Sequence, residues 1–274
     1  MIKTTFKDIQ YHLSEDLNLK SDDIVFLFSG IWGLGQLENN DANIVIEAFK
    51  KTLNKGIIIV PTFSYSWNNN NSWFIQDINC KEMGAISCNT INKDNFFRTD
   101  HPNFSVNIFK NKYNNYEVDD LLDIDLDTFG ESSIFGKLYK ISKKRRAFVL
   151  LFGGAFDDVL YRSTFIHYAQ QKIGVSHRYK KKIFSPNKKH YVLQYSRYLK
   201  SSEVRNNELK KIFNFPIEED FTLYGHELLK KNLLIKKNFK FYPSRMVVIH
   251  KSVDFMINRY KQNKFYCINS QSIK

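Results

Sequence analysis

No run in this chain of 274 residues approaches the roughly 20 consecutive apolar residues that a membrane-spanning helix needs, so no span is expected. The stretch from Met1 to Leu13 has no apolar centre of the kind a secretory signal carries, which makes the cytoplasm the expected location. Cysteine is scarce. Cys80, Cys88 and Cys267 stand in no metal-ligand spacing, so free thiols and no metal are expected. Helix-turn-helix, RNP and zinc-finger signatures are absent, which argues against a nucleic-acid partner. No internal repeat or low-complexity linker divides the chain.

What is present fits a soluble globular protein: 43% hydrophobic and 25% charged residues, in a chain long enough to bury a full core. The net charge of +13 is unevenly placed. Residues 1–170 hold 18 Lys/Arg against 21 Asp/Glu, whereas residues 171–274 hold 23 against 7. That basic C-terminal part suits an anionic ligand or partner. A composition rich in Lys, Asn, Ile, Phe and Tyr, as AT-rich coding produces, accounts for it equally well.

The organising stretch runs from Val149 to Gln170. Phe148–Phe152 is a short apolar run closed by Gly153-Gly154, which reads as a buried strand ending in a tight turn. After an acidic bend at Asp157-Asp158, Ser163-Thr164 can cap a helix whose first turns carry Phe165, Ile166, His167 and Tyr168. Open α/β sheets place ligands where a strand hands over to a helix through such a bend. His167 then lies near the positive end of the helix dipole, which favours the neutral imidazole able to take a proton. A half-buried structural histidine fits the same pattern.

Upstream, Phe6, Ile9, Leu13 and Leu17 recur at helical spacing, and Ile24–Phe28 follows as a buried strand. Ser29-Gly30-Ile31-Trp32-Gly33-Leu34-Gly35 then lets backbone approach a ligand, and Asp41–Leu53 has helix periodicity. This could cradle a phosphate, although its spacing is neither the dinucleotide fingerprint nor a Walker loop. Ile57–Val60 is a second apolar strand, giving a parallel βαβ unit. It leaves through Pro61-Thr62-Phe63-Ser64-Tyr65 into a loop at Asn68–Asn71. A helix from Glu82 to about Thr90 precedes Arg98-Thr99-Asp100-His101-Pro102, a polar turn with concentrated donors, and a strand over Phe104–Phe109. Glu117–Asp127, with six acids, reads as a solvated bend. Phe129–Ser133 caps a helix through Tyr139, and Lys143–Arg146 is a basic turn.

Beyond Gln170, Arg178–Phe184 and His190–Tyr198 alternate as an antiparallel pair around Pro186-Asn187. Helices are expected at Ser202–Phe213 and Leu223–Asn232, a second hairpin from Leu233–Ile235 and Phe239–Tyr242, and a closing helix over Ser244–Tyr260. The fold class is α/β: a parallel-sheet core with helices on both faces (1–176), then a C-terminal α+β lobe with antiparallel hairpins (177–274), forming one continuous domain.

Taken in order, Phe28–Gly35, Val60-Pro61-Thr62-Phe63, Met83-Gly84, Arg98–Val106, Phe129–Ser133 and Ser163–Tyr168 resemble the aminoglycoside 3-N-acetyltransferase family across most of the chain. The resemblance implies direct transfer of acetyl from acetyl-CoA to a primary amine of an amino sugar, without a metal. It implies His167 as catalytic base, and Ser29, Gly30, Ile31, Trp32, Gly33, Thr62, Arg98, Thr99, His101 and Ser105 facing acetyl-CoA. Tyr65, Tyr168 and Gln170 are expected at the substrate. Two positions depart from the family pattern: Gln170 stands where members usually carry Glu, and Gly30 where a second Ser is common. The basic tail resembles members from cell-surface polysaccharide gene sets, which implies a nucleotide-linked amino sugar as acceptor. An aminoglycoside acceptor, with antibiotic resistance, is the alternative. A catalytically decayed CoA- or carbohydrate-binding relative is the alternative of another class. A homodimer is compatible with all of these.

Overall fold

The computed structural model describes residues 3–64, 82–91, 93–154, 161, 163–184, 191–196 and 207–274. The chain opens with β1 (Lys3–Thr4), α1 (Phe6–Tyr11), β2 (Ile24–Ser29), β3 (Gln36–Leu37), α2 (Asn43–Thr52) and β4 (Ile57–Pro61). There follow α3 (Ala85–Thr90), β5 (Phe96–Arg98), β6 (Val106–Phe109), α4 (Asn115–Leu122), α5 (Ile134–Ser142), β7 (Ala147–Phe152) and α6 (Phe165–Ile173). The C-terminal part holds β8 (Tyr179–Phe184), β9 (Tyr191–Ser196), α7 (Asn207–Ile212), α8 (Thr222–Lys230), β10 (Leu234–Lys237), β11 (Ser244–Val248) and α9 (Ile249–Gln262).

Seven strands form the central sheet in the order β10-β11-β7-β2-β4-β6-β5. Only β7, β2 and β4 run parallel to one another; β11, β10, β6 and β5 join as antiparallel neighbours. The all-apolar strands have the composition that burial on both faces demands. Along β2, Ile24 and Phe26 face one layer, with Ile134, Phe135 and Leu138 of α5, Phe165 and Ala169 of α6, and Val253 and Met256 of α9. Val25 and Leu27 face the other, with Ile9 of α1 and Val45, Ile46 and Phe49 of α2. Helices therefore cover both faces, as expected. Thr5 and Asp8 close the start of α1 with a reciprocal capping box.

The C-terminal part differs most from expectation. The partner of β10 is Ser244–Val248, not Phe239–Tyr242, and the closing helix begins only at Ile249. Ser244–Val248 is a strand because it is inserted against β7 with Met246 in one layer and Val247 in the other. Residues beyond 177 thus complete the central sheet. The acidic run is not wholly a bend: Asn115–Leu122 is helical because Val118 and Leu121 supply a buried edge while the acids face outward. Phe96–Arg98, which leads into the polar turn, is an edge strand.

Cys267 is free and buried, but Cys88 is disulfide-bonded, against the expectation of free thiols throughout. Spatial proximity decides a disulfide, and linear spacing does not report it. Tyr65, Asn68–Asn71, Asp157-Asp158 and Pro186-Asn187 lie outside the described residues. Among the described residues no helix is long and apolar enough to cross a membrane.

Candidate active site

Because β2 and β7 are parallel neighbours, their C-terminal bends lie side by side. The Gly30 N–H donates to the Phe152 carbonyl at 2.9 Å. Around this link glycine packs on glycine. A β-carbon on Gly30 would stand 2.8 Å from the Gly154 Cα, and one on Gly33 only 1.9 Å from the Gly153 carbonyl oxygen. Gly153 itself has φ +71°, a left-handed conformation that favours glycine. Ser29 ends β2 half-buried, and Ile31–Leu34 forms a 3₁₀ turn with Ile31 half-buried. Trp32 is 60% exposed, its ring meeting the Tyr242 ring edge-on at 4.9 Å.

The second group of expected cosubstrate residues forms a knot at the ends of β4 and β5. Arg98 Nε donates to the hydroxyls of Thr62 and Ser105, each at 3.1 Å, and Nη2 to the Thr62 carbonyl at 2.8 Å. The Ser105 hydroxyl donates to the same carbonyl. Burial pulls the Arg98 guanidinium down to about 10. Thr99 accepts from the Val106 N–H at 2.9 Å. His101 is buried, and its Nδ1 accepts from the N–H groups of Asn103 and Phe104 at 3.2 and 2.9 Å. Its Nε2 must then carry the proton and donate to Thr128, at 3.2 Å. Burial lowers the His101 imidazole to about 3. The side chains of Thr62, Arg98, Thr99, His101 and Ser105 thus hold one another and the loop backbone.

Helix α6 carries the third group. Thr164 is its N-cap but gives no side-chain capping bond, and Ser163 pairs with the Tyr161 hydroxyl, at 3.0 Å. The expected hydroxyl cap fails because Thr164 already has helical backbone angles, which turn its hydroxyl away from the first N–H groups. His167 lies in the first turn, half-buried, meeting the Phe129 ring edge-on at 5.6 Å. Burial first, and then the Arg178 charge, lower its imidazole to about 3, so it is neutral. Its Nδ1 lies 3.2 Å from Gln170 Oε1.

Of the expected substrate residues, Tyr168 is buried between α5 and α6, against Tyr139, with its hydroxyl donating to Glu131 at 3.2 Å. Gln170 is wholly buried behind His167, its Nε2 donating to Glu219 at 2.5 Å and to Tyr260 at 2.8 Å. Glu219 also accepts from His177 at 2.9 Å and pairs with Arg178. Sequence reasoning missed Glu219, His177 and Arg178. The one signal was an acidic triplet, Glu218-Glu219-Asp220, inside a strongly basic region.

The acids flanking α6 also have partners. Asp127 accepts from Gln171 at 2.8 Å and pairs with Lys180 at 2.6 Å. Glu131 pairs with Lys172 and Lys140. Further out, Asp119 pairs with Lys110, Asp120 with Lys137 and Glu117 with Arg145. Among the described residues no cluster of His, Cys, Asp and Glu could hold a metal ion.

The chain superimposes on aminoglycoside acetyltransferase AAC(3)-IVa with a TM-score of 0.71 at 14% identity, covering 97% of this chain and 91% of that one. It is similar to AAC-IIIb in binary complex with CoASH (TM-score 0.67, 15% identity, 95% and 97% covered). The YokD protein from Bacillus subtilis matches at 19% identity with a TM-score of 0.65, covering 95% of this chain and all of that one (100%). These likenesses show the fold. No curated protein matches the sequence. Residues 29–261 match the sequence model of aminoglycoside 3-N-acetyltransferases, a span that includes both glycine bends, the Arg98 knot, α6 and Glu219. The chain belongs to the aminoglycoside 3-N-acetyltransferase family.

Proposed function

We propose that this acetyl-CoA-dependent N-acetyltransferase uses His167 as its base and acetylates an amino sugar carrying a nucleotide diphosphate. The observation that carries the catalytic part is His167 itself: neutral, half-buried, in the first turn of α6, with Nδ1 engaged by Gln170. An amine on a sugar is an ammonium near neutral pH and must lose a proton before its nitrogen can attack a thioester. His167 takes that proton through Nε2. The nitrogen–acyl bond then forms and the carbon–sulfur bond breaks; the leaving thiolate takes the proton held by the His167 imidazolium, and the acylated nitrogen loses its surplus proton to solvent.

Acetyl-CoA supplies the activated acyl group. The bends of Gly30–Gly33 and Gly153-Gly154 suit it: glycine at 30 and 33 lets the two bends pack backbone on backbone, which sets main chain at the ends of β2 and β7. In the 3₁₀ turn the first two N–H groups, of Ile31 and Trp32, have no carbonyl behind them within the turn and can face a developing oxyanion. Trp32 lies exposed beside them. The Arg98, Thr62, Ser105 and His101 knot holds the neighbouring loop in shape for CoA.

The choice of acceptor follows from charge. The carboxylates flanking α6 already have cationic partners, and the C-terminal part is strongly basic. Such surroundings repel a polycation and favour a phosphate-bearing substrate. Family membership favours the second reading, an aminoglycoside acceptor. Specificity constants for diphosphate-linked amino sugars and for kanamycin- or gentamicin-like amines, at fixed ionic strength, test the two. Faster turnover of the polycations overturns the first. Turnover of no amine at all leaves a decayed binding protein.

A further inference from the structure

The side chains behind His167 determine which of its nitrogens is free, and their importance for turnover rests on the reading of His167 as base. The Gln170 amide has two unlike ends. One lies 3.2 Å from His167 Nδ1; the other lies 2.5 Å from Glu219 and 2.8 Å from the Tyr260 hydroxyl. Burial by itself would push the Glu219 carboxyl up, but the Arg178 guanidinium and the His177 hydrogen bond hold it well below the usual carboxylate range. An ionised carboxylate only accepts, so the end of Gln170 that faces it is the NH₂ group. The carbonyl end then faces His167 and can also only accept. Nδ1 must therefore carry the imidazole proton, which leaves Nε2 bare.

We propose that Glu219, acting through the Gln170 amide, is a positioning residue that holds His167 in the Nδ1–H tautomer and so keeps Nε2 free to take a proton from the substrate amine. Glu219 comes from the segment between α7 and α8, 49 residues beyond Gln170. It is fixed there by Arg178 and His177, whose own positions follow directly on α6. Glu219 thus contributes to the chemistry of α6 from behind His167. A network that merely cements the fold would be indifferent to which imidazole nitrogen bears the proton.

The test exchanges the two side chains. In Glu219→Gln the negative charge is gone and the NH₂ end of the new amide must face a donor, of Arg178 on one side or of Gln170, His177 and Arg178 on the other, so the hold on the Gln170 orientation, and with it on the His167 tautomer, is weakened. The expected result is a fall in kcat of about 10²-fold, the lower end of what a general base contributes, with KM for acetyl-CoA little changed. Gln170→Glu alone sets two carboxylates against each other and is also impaired. The double variant Gln170→Glu/Glu219→Gln keeps one carboxylate and one amide and restores an acceptor at Nδ1. It should recover to within about tenfold of the parent, a coupling that independent sites would not show. Gln170→Met leaves Glu219 with Arg178 and His177 while removing the acceptor, and should lose kcat without losing its fold.

Nitrogen-15 NMR of His167 reads the tautomer directly: a proton on Nδ1 in the parent and in the double variant, and a shift toward Nε2–H in Glu219→Gln. Full kcat in folded Gln170→Met, or an Nε2–H tautomer in the parent, overturns the proposal. If the parent turns over no amine, the functional reading fails, and the tautomer measurement still decides this one.

Discussion

Gly33 lies so close to Gly153 that a β-carbon on it would stand 1.9 Å from the Gly153 carbonyl oxygen and 2.7 Å from the Tyr242 ring. The obstacle is backbone of a neighbouring parallel strand, which a side-chain rotation cannot relieve. Gly33→Ala must separate the two bends at the ends of β2 and β7. Overpacking of this kind costs about 1–3 kcal/mol, and a backbone neighbour places it toward the upper end. The expected outcome is a Tm lowered by several degrees and loss of the Tm rise that CoA in excess gives the parent. Gly174→Ala is the control. Gly174 has φ +69° with nothing within 4 Å of an added β-carbon, so only the conformational penalty of about 1 kcal/mol applies and the CoA response survives.

The two histidines should separate cleanly. His167→Ala removes the base and should cost about 10²–10⁴ in kcat while leaving Tm and the CoA response nearly intact. His101→Ala removes the acceptor of the Asn103 and Phe104 N–H groups and one partner of the Thr128 hydroxyl. Buried groups left unsatisfied cost about 1–3 kcal/mol each, so this variant should show its loss in unfolding, with CoA binding weakened through the distorted loop. A stable, inactive His101 variant beside an active His167 variant would reverse the assignment.

Much of the fold was legible in the residues. Ile24–Phe28, Ile57–Val60 and Phe148–Phe152 are apolar runs bounded by polar or glycine bends, and they became the three parallel strands. His167 stood out because a glycine-ended strand led to its helix. The strand Ser244–Val248 did not, because Met246, Ile249, Val253 and Met256 continue a helical spacing through it. Its strand state is imposed by pairing with β7, a long-range contact that periodicity does not encode. Glu219 was hidden for a related reason: 49 residues separate it from Gln170, and nothing periodic links the two.

The histidines also set an acid limit on the fold. His101 and His167 are both lowered from 6.5 to about 3, burial being the main cause. Between those values the unfolded chain binds protons that the folded chain does not, so stability falls as pH falls across the window and is fully present above it. Each group contributes a slope approaching about 1.4 kcal/mol per pH unit once the pH is well below 6.5. The depressed Glu219 carboxyl adds a further loss below the ordinary carboxylate range. Urea unfolding should give a nearly constant free energy from about pH 7 to 8 and a steep decline from about pH 6 to 4. His167→Gln should reduce that decline by about one proton; an unchanged slope would contradict a neutral buried His167.

The acceptor's charge can be probed beside α6. Asp127 pairs with Lys180 at 2.6 Å and accepts from Gln171 on α6, the helix that carries His167. Lys180→Ala leaves that carboxylate without its ammonium partner and makes the surroundings of α6 more negative. Pairs of this partly exposed kind are worth about 0.2–1 kcal/mol, so the change in specificity should be about 1.4- to fivefold. It should have opposite signs for the two substrate classes. The kcat/KM for a polycationic aminoglycoside should rise, because a cation gains an attractive group. That for a diphosphate-linked amino sugar should fall, because an anion loses one. Both effects should shrink in about 0.5 M salt, where the screening length drops to about 4 Å. A change of the same sign for both substrates, or one that persists in salt, would mean that Lys180 acts through packing and that charge does not select the acceptor.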